Sequence, residues 1–260
     1  MASETESAQP DFAGVFPQMG SLRAATWGTV LLVLVTRTLF FVLAQAFVAL
    51  IFALQRHPDP WLTAAPWWPA GGVIANIFGL LLLTALTRRE GTSLWALGSF
   101  DRRRMGRDIL LGFGLFLATF PIALAGMILA GIGLYGSYAS TPIVGGHLPL
   151  WAGWVSVLIF PVINSVTEQM TYSAYSLPRA RALAGSKFWA VAIIAFLFAF
   201  QHTALGLIFD WRFLLYRFIS YLPLCIIVPV LYLRLRRLTP LIVCHWCLDL
   251  TGSVSLMLMP

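Results

Sequence analysis

Apolar runs of about 20 residues recur along almost the whole 260-residue chain, separated only by short polar connections. Wound as an α-helix, such a run matches the hydrocarbon thickness of a bilayer and satisfies its own backbone hydrogen bonds there. The expected fold is therefore all-α, a polytopic membrane bundle of about seven transmembrane helices. Only 10% of the residues are charged and 59% are hydrophobic, against roughly 25% charged in an ordinary soluble domain. A soluble globular protein is excluded, and the close succession of runs leaves no room for a separate soluble domain.

The spans are expected at about 27–54, 68–86, 109–134, 151–177, 188–207, 213–233 and 238–259. Residues 26–260 then form one transmembrane domain. Residues 1–25 read as a polar cytoplasmic tail, mildly acidic through Glu4, Glu6 and Asp11. The tail has neither the basic start nor the small-residue cleavage pattern of a signal peptide. No internal repeat suggests the two-halved layout of many transporters.

The net charge of +7 comes from arginine, Lys187 being the single lysine. These arginines lie beside membrane spans, where basic loops resist translocation and report topology, so nucleic-acid binding is a poor explanation. Arg88, Arg89, Arg102, Arg103, Arg104 and Arg107 follow the second span, Arg179, Arg181 and Lys187 the fourth, and Arg234, Arg236 and Arg237 the sixth. Those loops should be cytoplasmic, with the N-terminus inside and the C-terminus outside. The dominance of arginine over lysine suggests a GC-rich bacterial genome and hence a bacterial cytoplasmic membrane. The segment between Arg88 and Arg107 reads either as a solvated basic loop or as a short amphipathic piece lying on the membrane surface. Cys225, Cys244 and Cys247 all fall in apolar runs and imply no disulfide framework.

Ionisable residues inside spans are the informative ones, because each costs several kcal/mol unless it is paired or faces a wet cavity. They are Arg37, Glu168, His202, His245 and Asp249. Arg37 either snorkels or pairs with a buried carboxylate, a structural role. Counted along helices from the nearest basic loop residue at about 1.5 Å per residue, Glu168 lies about 16 Å deep, His202 about 22 Å, His245 about 12 Å and Asp249 about 18 Å. Groups from three spans at a common depth can converge on one cavity. His245 and Asp249, four apart, share a helix face. Asn164, Glu168, Thr171, Tyr172 and Tyr175 form a polar stripe, and Phe198 covers the same face as His202.

A carboxylate in a low-dielectric site and a neighbouring histidine can draw a proton from water near neutral pH, which is general-base catalysis of hydrolysis. A second histidine and an aspartate opposite can support the oxygen that becomes negative in a tetrahedral intermediate. Neither Gly-x-Ser-x-Gly nor His-Glu-x-x-His occurs in the chain.

The segment from Glu168-Gln169 through Tyr175, then Phe198-x-x-x-His202, then His245-x-x-x-Asp249, resembles the three motifs of the CPBP family. These are the CAAX prenyl proteases and bacteriocin-processing enzymes, with motifs Glu-Glu-x-x-x-Arg, Phe-x-x-x-His and His-x-x-x-Asn/Asp. The resemblance runs from about 151 to 252, the expected catalytic part. It implies an intramembrane glutamic-type endopeptidase in which Glu168 and His202 activate water and His245 and Asp249 stabilise the oxyanion. Gln169, Tyr172, Ser173, Phe198 and Asn164 are the expected supporting or substrate-binding residues. Two positions depart from the pattern: Gln169 replaces the second glutamate and Ser173 the arginine. If that arginine balances the second carboxylate, the paired loss is charge-compensated. The expected partners are membrane lipid and a lipidated or membrane-embedded peptide substrate.

The alternatives are a non-catalytic or repurposed member acting as an immunity or scaffold protein, a proton-coupled transporter, and a zinc-dependent membrane hydrolase. The zinc reading rests on Cys244-His245-Trp246-Cys247. His245 would have to face away from two flanking cysteine ligands, so no metal and no other cofactor is expected.

Overall fold

The computed structural model describes residues 25–142, 144–146 and 148–257. The polar tail, except for its last residue, and the final residues of the seventh run therefore lie outside the described residues. The described chain is helical and contains no strand, a helical membrane bundle. Its principal helices are α1 (Trp27–Leu54), α2 (Pro60–Arg89), α3 (Met105–Tyr135), α4 (Leu150–Ala184), α5 (Lys187–His202), α6 (Trp211–Leu235) and α7 (Thr239–Met257). By length and composition, α1 to α4 and α6 can each cross a membrane.

Local chemistry fixes the helix ends. The side chains of Thr26, Asp59, Ser186 and Asp210 accept hydrogen bonds from backbone N–H groups in the first turns of α1, α2, α5 and α6. Because Asp59 caps Pro60, α2 begins eight residues before Trp68, the expected start, and passes through a tight 3₁₀ turn at Ala65–Trp67. In α5, helix ends at His202 instead of continuing to residue 207. The turn that follows is buried, so its backbone needs internal partners. Gln45 on α1 supplies two, donating to the Leu207 carbonyl at 2.8 Å and accepting from the Leu207 N–H at 2.7 Å. Arg217 on α6 donates to the carbonyls of His202 and Leu205.

Each outer helix shows an apolar face outward and gathers its polar residues inward. On α1, Leu32, Val35, Leu39, Leu43 and Phe47 are exposed, while Arg37 and Gln45 are buried beside Val33, Leu34 and Phe41. That is the arrangement a lipid solvent favours, because polar groups in hydrocarbon must find partners within the bundle. Helix α4 packs against α1, α2, α5, α6 and α7 and occupies the centre. Small residues permit these approaches. A side chain at Gly72 would meet Phe41 and Phe160 at 2.8 Å, and one at Gly112 would meet Val243 at 2.5 Å.

The stripe expected on α4 has a different form. Two stretches, Val155–Ile159 and Gln169–Ser176, are π-helical, a geometry that often occurs at functional positions. Every residue of the second stretch is buried. Gln169–Ser176 is thus surrounded on all sides, and no single polar face is distinguished by burial.

The basic loops also differ in detail from their sequence reading. Arg179 is a buried residue of α4, paired with Glu90, which also accepts from the Tyr175 hydroxyl at 2.9 Å. Between α2 and α3, a short helix at Leu94–Leu97 inserts Leu97 into the core and leaves Trp95 exposed, so the segment is partly anchored. Arg237 pairs with the buried Asp108 and joins the start of α7 to the first turn of α3.

Candidate functional site

Glu168 is the last residue before the long π-helical stretch and is fully buried. Three groups surround its carboxylate unequally. Oε1 accepts from Arg37 Nη2 at 2.9 Å and from Gln201 Nε2 at 2.8 Å. Oε2 has no hydrogen-bond partner, although His245 Nε2 lies 3.1 Å away, off the hydrogen-bond direction. One oxygen is therefore held and the other is left open toward His245.

The group that holds it is Arg37, which neither snorkels nor reaches lipid. It is 2% exposed and uses four of the five N–H donors of its planar fork. Nε donates to Gln201 Oε1 at 2.8 Å, Nη1 to Asn76 Oδ1 at 2.7 Å, and Nη2 to Asn164 Oδ1 at 2.7 Å as well as to Glu168. Asn76 also donates to Asn164 Oδ1 at 3.1 Å. Asn164 in turn donates to Asp249 Oδ2 at 2.9 Å. A polar chain thus runs from α1 and α2 through α4 to α7.

His245 stands between two carboxylates, with Nε2 at 3.1 Å from Glu168 Oε2 and 3.5 Å from Asp249 Oδ1. Its other nitrogen, Nδ1, meets Gln169 Nε2 at 3.0 Å, and Gln169 Oε1 accepts from Ser173 Oγ at 2.8 Å. An amide NH₂ can only donate, so in this arrangement Nδ1 accepts and the proton of His245 sits on Nε2, facing the carboxylates. The two positions that depart from the CPBP pattern touch each other, and together they hold His245.

His202 takes a different place from the one expected. It is separate from the hydrogen bonds and ion pairs of the Glu168 carboxylate, which go to Arg37, Gln201 and His245. Its Nδ1 lies 2.8 Å from the Phe198 carbonyl, which can only accept, so Nδ1 carries a proton and the Nε2 lone pair of the neutral ring remains available. Its ring stacks on Tyr221 of α6 at 4.0 Å between centroids. Phe198 separates the aromatic groups, 5.3 Å from His202 and 6.3 Å from His245, and stacks on Tyr172 at 4.1 Å. The Tyr172 hydroxyl donates to Gln201 Oε1 at 2.7 Å.

The structure therefore brings together Glu168, His245, Asp249, Asn164, Gln169 and Ser173, with His202, Phe198 and Tyr172 forming the adjacent aromatic wall. Tyr175 belongs to the Glu90 clamp. Sequence reasoning passed over Asn76 and Gln201 and gave Arg37 only a structural part. Asn76 is the single amide in the otherwise apolar second run, and Gln201 directly precedes a motif histidine, so both carried a legible signal. Cys244 lies 3.4 Å from Thr119 on α3. Among the described residues, no metal-binding group of three or more His, Cys, Asp or Glu is formed.

Residues 149–251, which contain every one of these motif positions, match the family model described as type II CAAX prenyl endopeptidase, Rce1-like. Over this segment the chain is similar to the family that its three motifs resemble. No curated protein and no solved structure matches the chain. The matched segment comprises α4 to most of α7, whereas Arg37 and Asn76 come from helices outside it.

Proposed function

We propose that this chain is an intramembrane endopeptidase that cleaves a lipidated or membrane-embedded peptide by general-base hydrolysis. The observation that carries the reading is the asymmetric Glu168 carboxylate, with Oε1 held by Arg37 and Gln201 and the buried Oε2 lacking a donor. A carboxylate oxygen fixed in position but short of hydrogen bonds is suited to accept one from water. His202, with its Nε2 lone pair available, shares that water's proton across the gap between the two side chains. Attack of the water oxygen forms the new bond to the scissile carbonyl carbon, and His245 donates from Nε2 toward the resulting oxyanion. Collapse breaks the C–N bond, and the proton held by Glu168 and His202 passes to the leaving amine. Asp249, positioned by Asn164, orients His245. No metal is required in this scheme.

The site draws on α1 and α2 as well as the matched segment, which favours one transmembrane domain over a catalytic half with a separate anchor. The dominance of arginine over lysine favours a bacterial cytoplasmic membrane, and the basic loops favour an N-terminus inside and a C-terminus outside. Reconstitution into liposomes with a farnesylated reporter peptide and an unlipidated transmembrane reporter tests the reading. Wild-type protein should cleave at least one of them, and Glu168→Gln and His202→Ala should each lower the rate by about 10²-fold or more while the protein still folds. Wild-type rates in either variant would overturn the mechanism.

A further inference from the structure

We propose that a basic cavity between the start of α3 and the start of α7 holds the headgroup of an anionic phospholipid. The cavity has a volume of about 300 Å³ and is lined by Arg104, Arg107, Asp108, Leu111 and Arg237. Three guanidinium groups here face one carboxylate, and Asp108 is already buried and engaged by Arg237. Among the described residues Arg104 reaches only Asp101, at 3.5 Å and with both side chains well exposed, a contact of little energetic weight. The described residues give Arg107 no hydrogen bond or ion pair. The wall is thus left with positive charge whose donors are free to take phosphate oxygens.

The surface below the cavity decides between a lipid and a free anion. From Arg107, steps of three and four residues along α3 lead to Leu110, Phe113, Leu117, Phe120 and Leu124, all exposed. That spacing places them on one helix face. At about 1.5 Å per residue, the face extends about 25 Å from Arg107. A polar, cationic end joined to a long apolar track matches an amphiphile with an anionic head and acyl chains, whereas a soluble phosphate would use only the upper part. The cavity shares its membrane face with Arg88, Arg89 and Lys187, and anionic lipid is enriched where basic loops collect. Because Arg237 fastens α3 to the helix carrying His245 and Asp249, a bound headgroup would also brace the α7 side of the bundle. The lipid site itself is independent of the proteolytic reading.

Native mass spectrometry on the full-length protein in a neutral detergent tests the proposal. The probes are dioleoyl phosphatidylglycerol, dioleoyl phosphatidylcholine and inorganic phosphate. The Arg104→Gln/Arg107→Gln double variant removes two exposed cavity arginines and leaves the Arg237 clasp intact. Arg102→Gln/Arg103→Gln removes the same charge from the neighbouring loop. Each arginine near an anionic lipid contributes on the order of fivefold in affinity, so the cavity variant should bind phosphatidylglycerol about 30-fold more weakly. The loop variant should lose less than about threefold, phosphatidylcholine should bind at least tenfold more weakly than phosphatidylglycerol, and inorganic phosphate should not displace the lipid. Equal losses in the two variants, equal binding of the two lipids, or displacement by phosphate alone would each overturn the proposal.

Discussion

Replacing Arg37 by methionine keeps an unbranched stem, shorter by two atoms, and removes the charge and donors. Glu168, fully buried, then keeps only Gln201 on Oε1 and the nearby His245 at Oε2. Removing one partner of a buried ion pair typically costs about 3–5 kcal/mol, because the remaining charge is left uncompensated. Amide losses add less. Asn164 Oδ1 retains Asn76 and Gln201 Oε1 retains Tyr172, so only Asn76 Oδ1 loses its donor. An interhelical hydrogen bond in a membrane averages about 0.6 kcal/mol. The expected loss is therefore about 3–5 kcal/mol in the parent protein. In a Glu168→Gln background the buried Arg37 guanidinium is itself the stranded charge, so the same substitution should cost nothing or restore stability. Reversible unfolding of the four proteins of this cycle, followed by circular dichroism in mixed micelles, measures the coupling. A loss below about 1 kcal/mol in the parent, or the same loss in both backgrounds, would refute the claim that Arg37 holds the Glu168 carboxylate.

Gln169→Glu alone should place an unbalanced carboxylate beside His245, lowering stability by about 2–4 kcal/mol and reducing cleavage. Adding Ser173→Arg should recover most of both in the same unfolding and cleavage assays, because positions 169 and 173 are in contact. Cys244→Ala and Cys247→Ala, singly or together, should leave cleavage within about threefold of the parent, and chelators should not inhibit. Stoichiometric metal lost together with activity, measured by elemental analysis, would instead promote the zinc mechanism. Cysteine accessibility should place the Arg102 and Arg236 loops inside and Gly145 outside, and a cytoplasmic Gly145 would overturn the topology.

By itself the sequence determined the helical membrane bundle and the approximate positions of its helices. Runs of about 20 apolar residues have few other ways to satisfy their backbone in lipid. The same scarcity of polar residues made Glu168, His202, His245 and Asp249 conspicuous and allowed their common depth to be read from helical rise. Rotation about each helix axis and the identity of interhelical neighbours were not determined in this way, because an apolar helix facing lipid and one facing protein have similar composition. Tertiary packing decided that Arg37 turns inward onto Glu168, that Asn76 and Gln201 complete its cradle, and that the carboxylate lies against His245 instead of His202. It also decided that Gln169, which its four-residue spacing already puts beside Ser173, reaches His245 on another helix. Depth follows from counting along one helix; partnership depends on how several helices rotate against one another, and only the packed bundle fixes that.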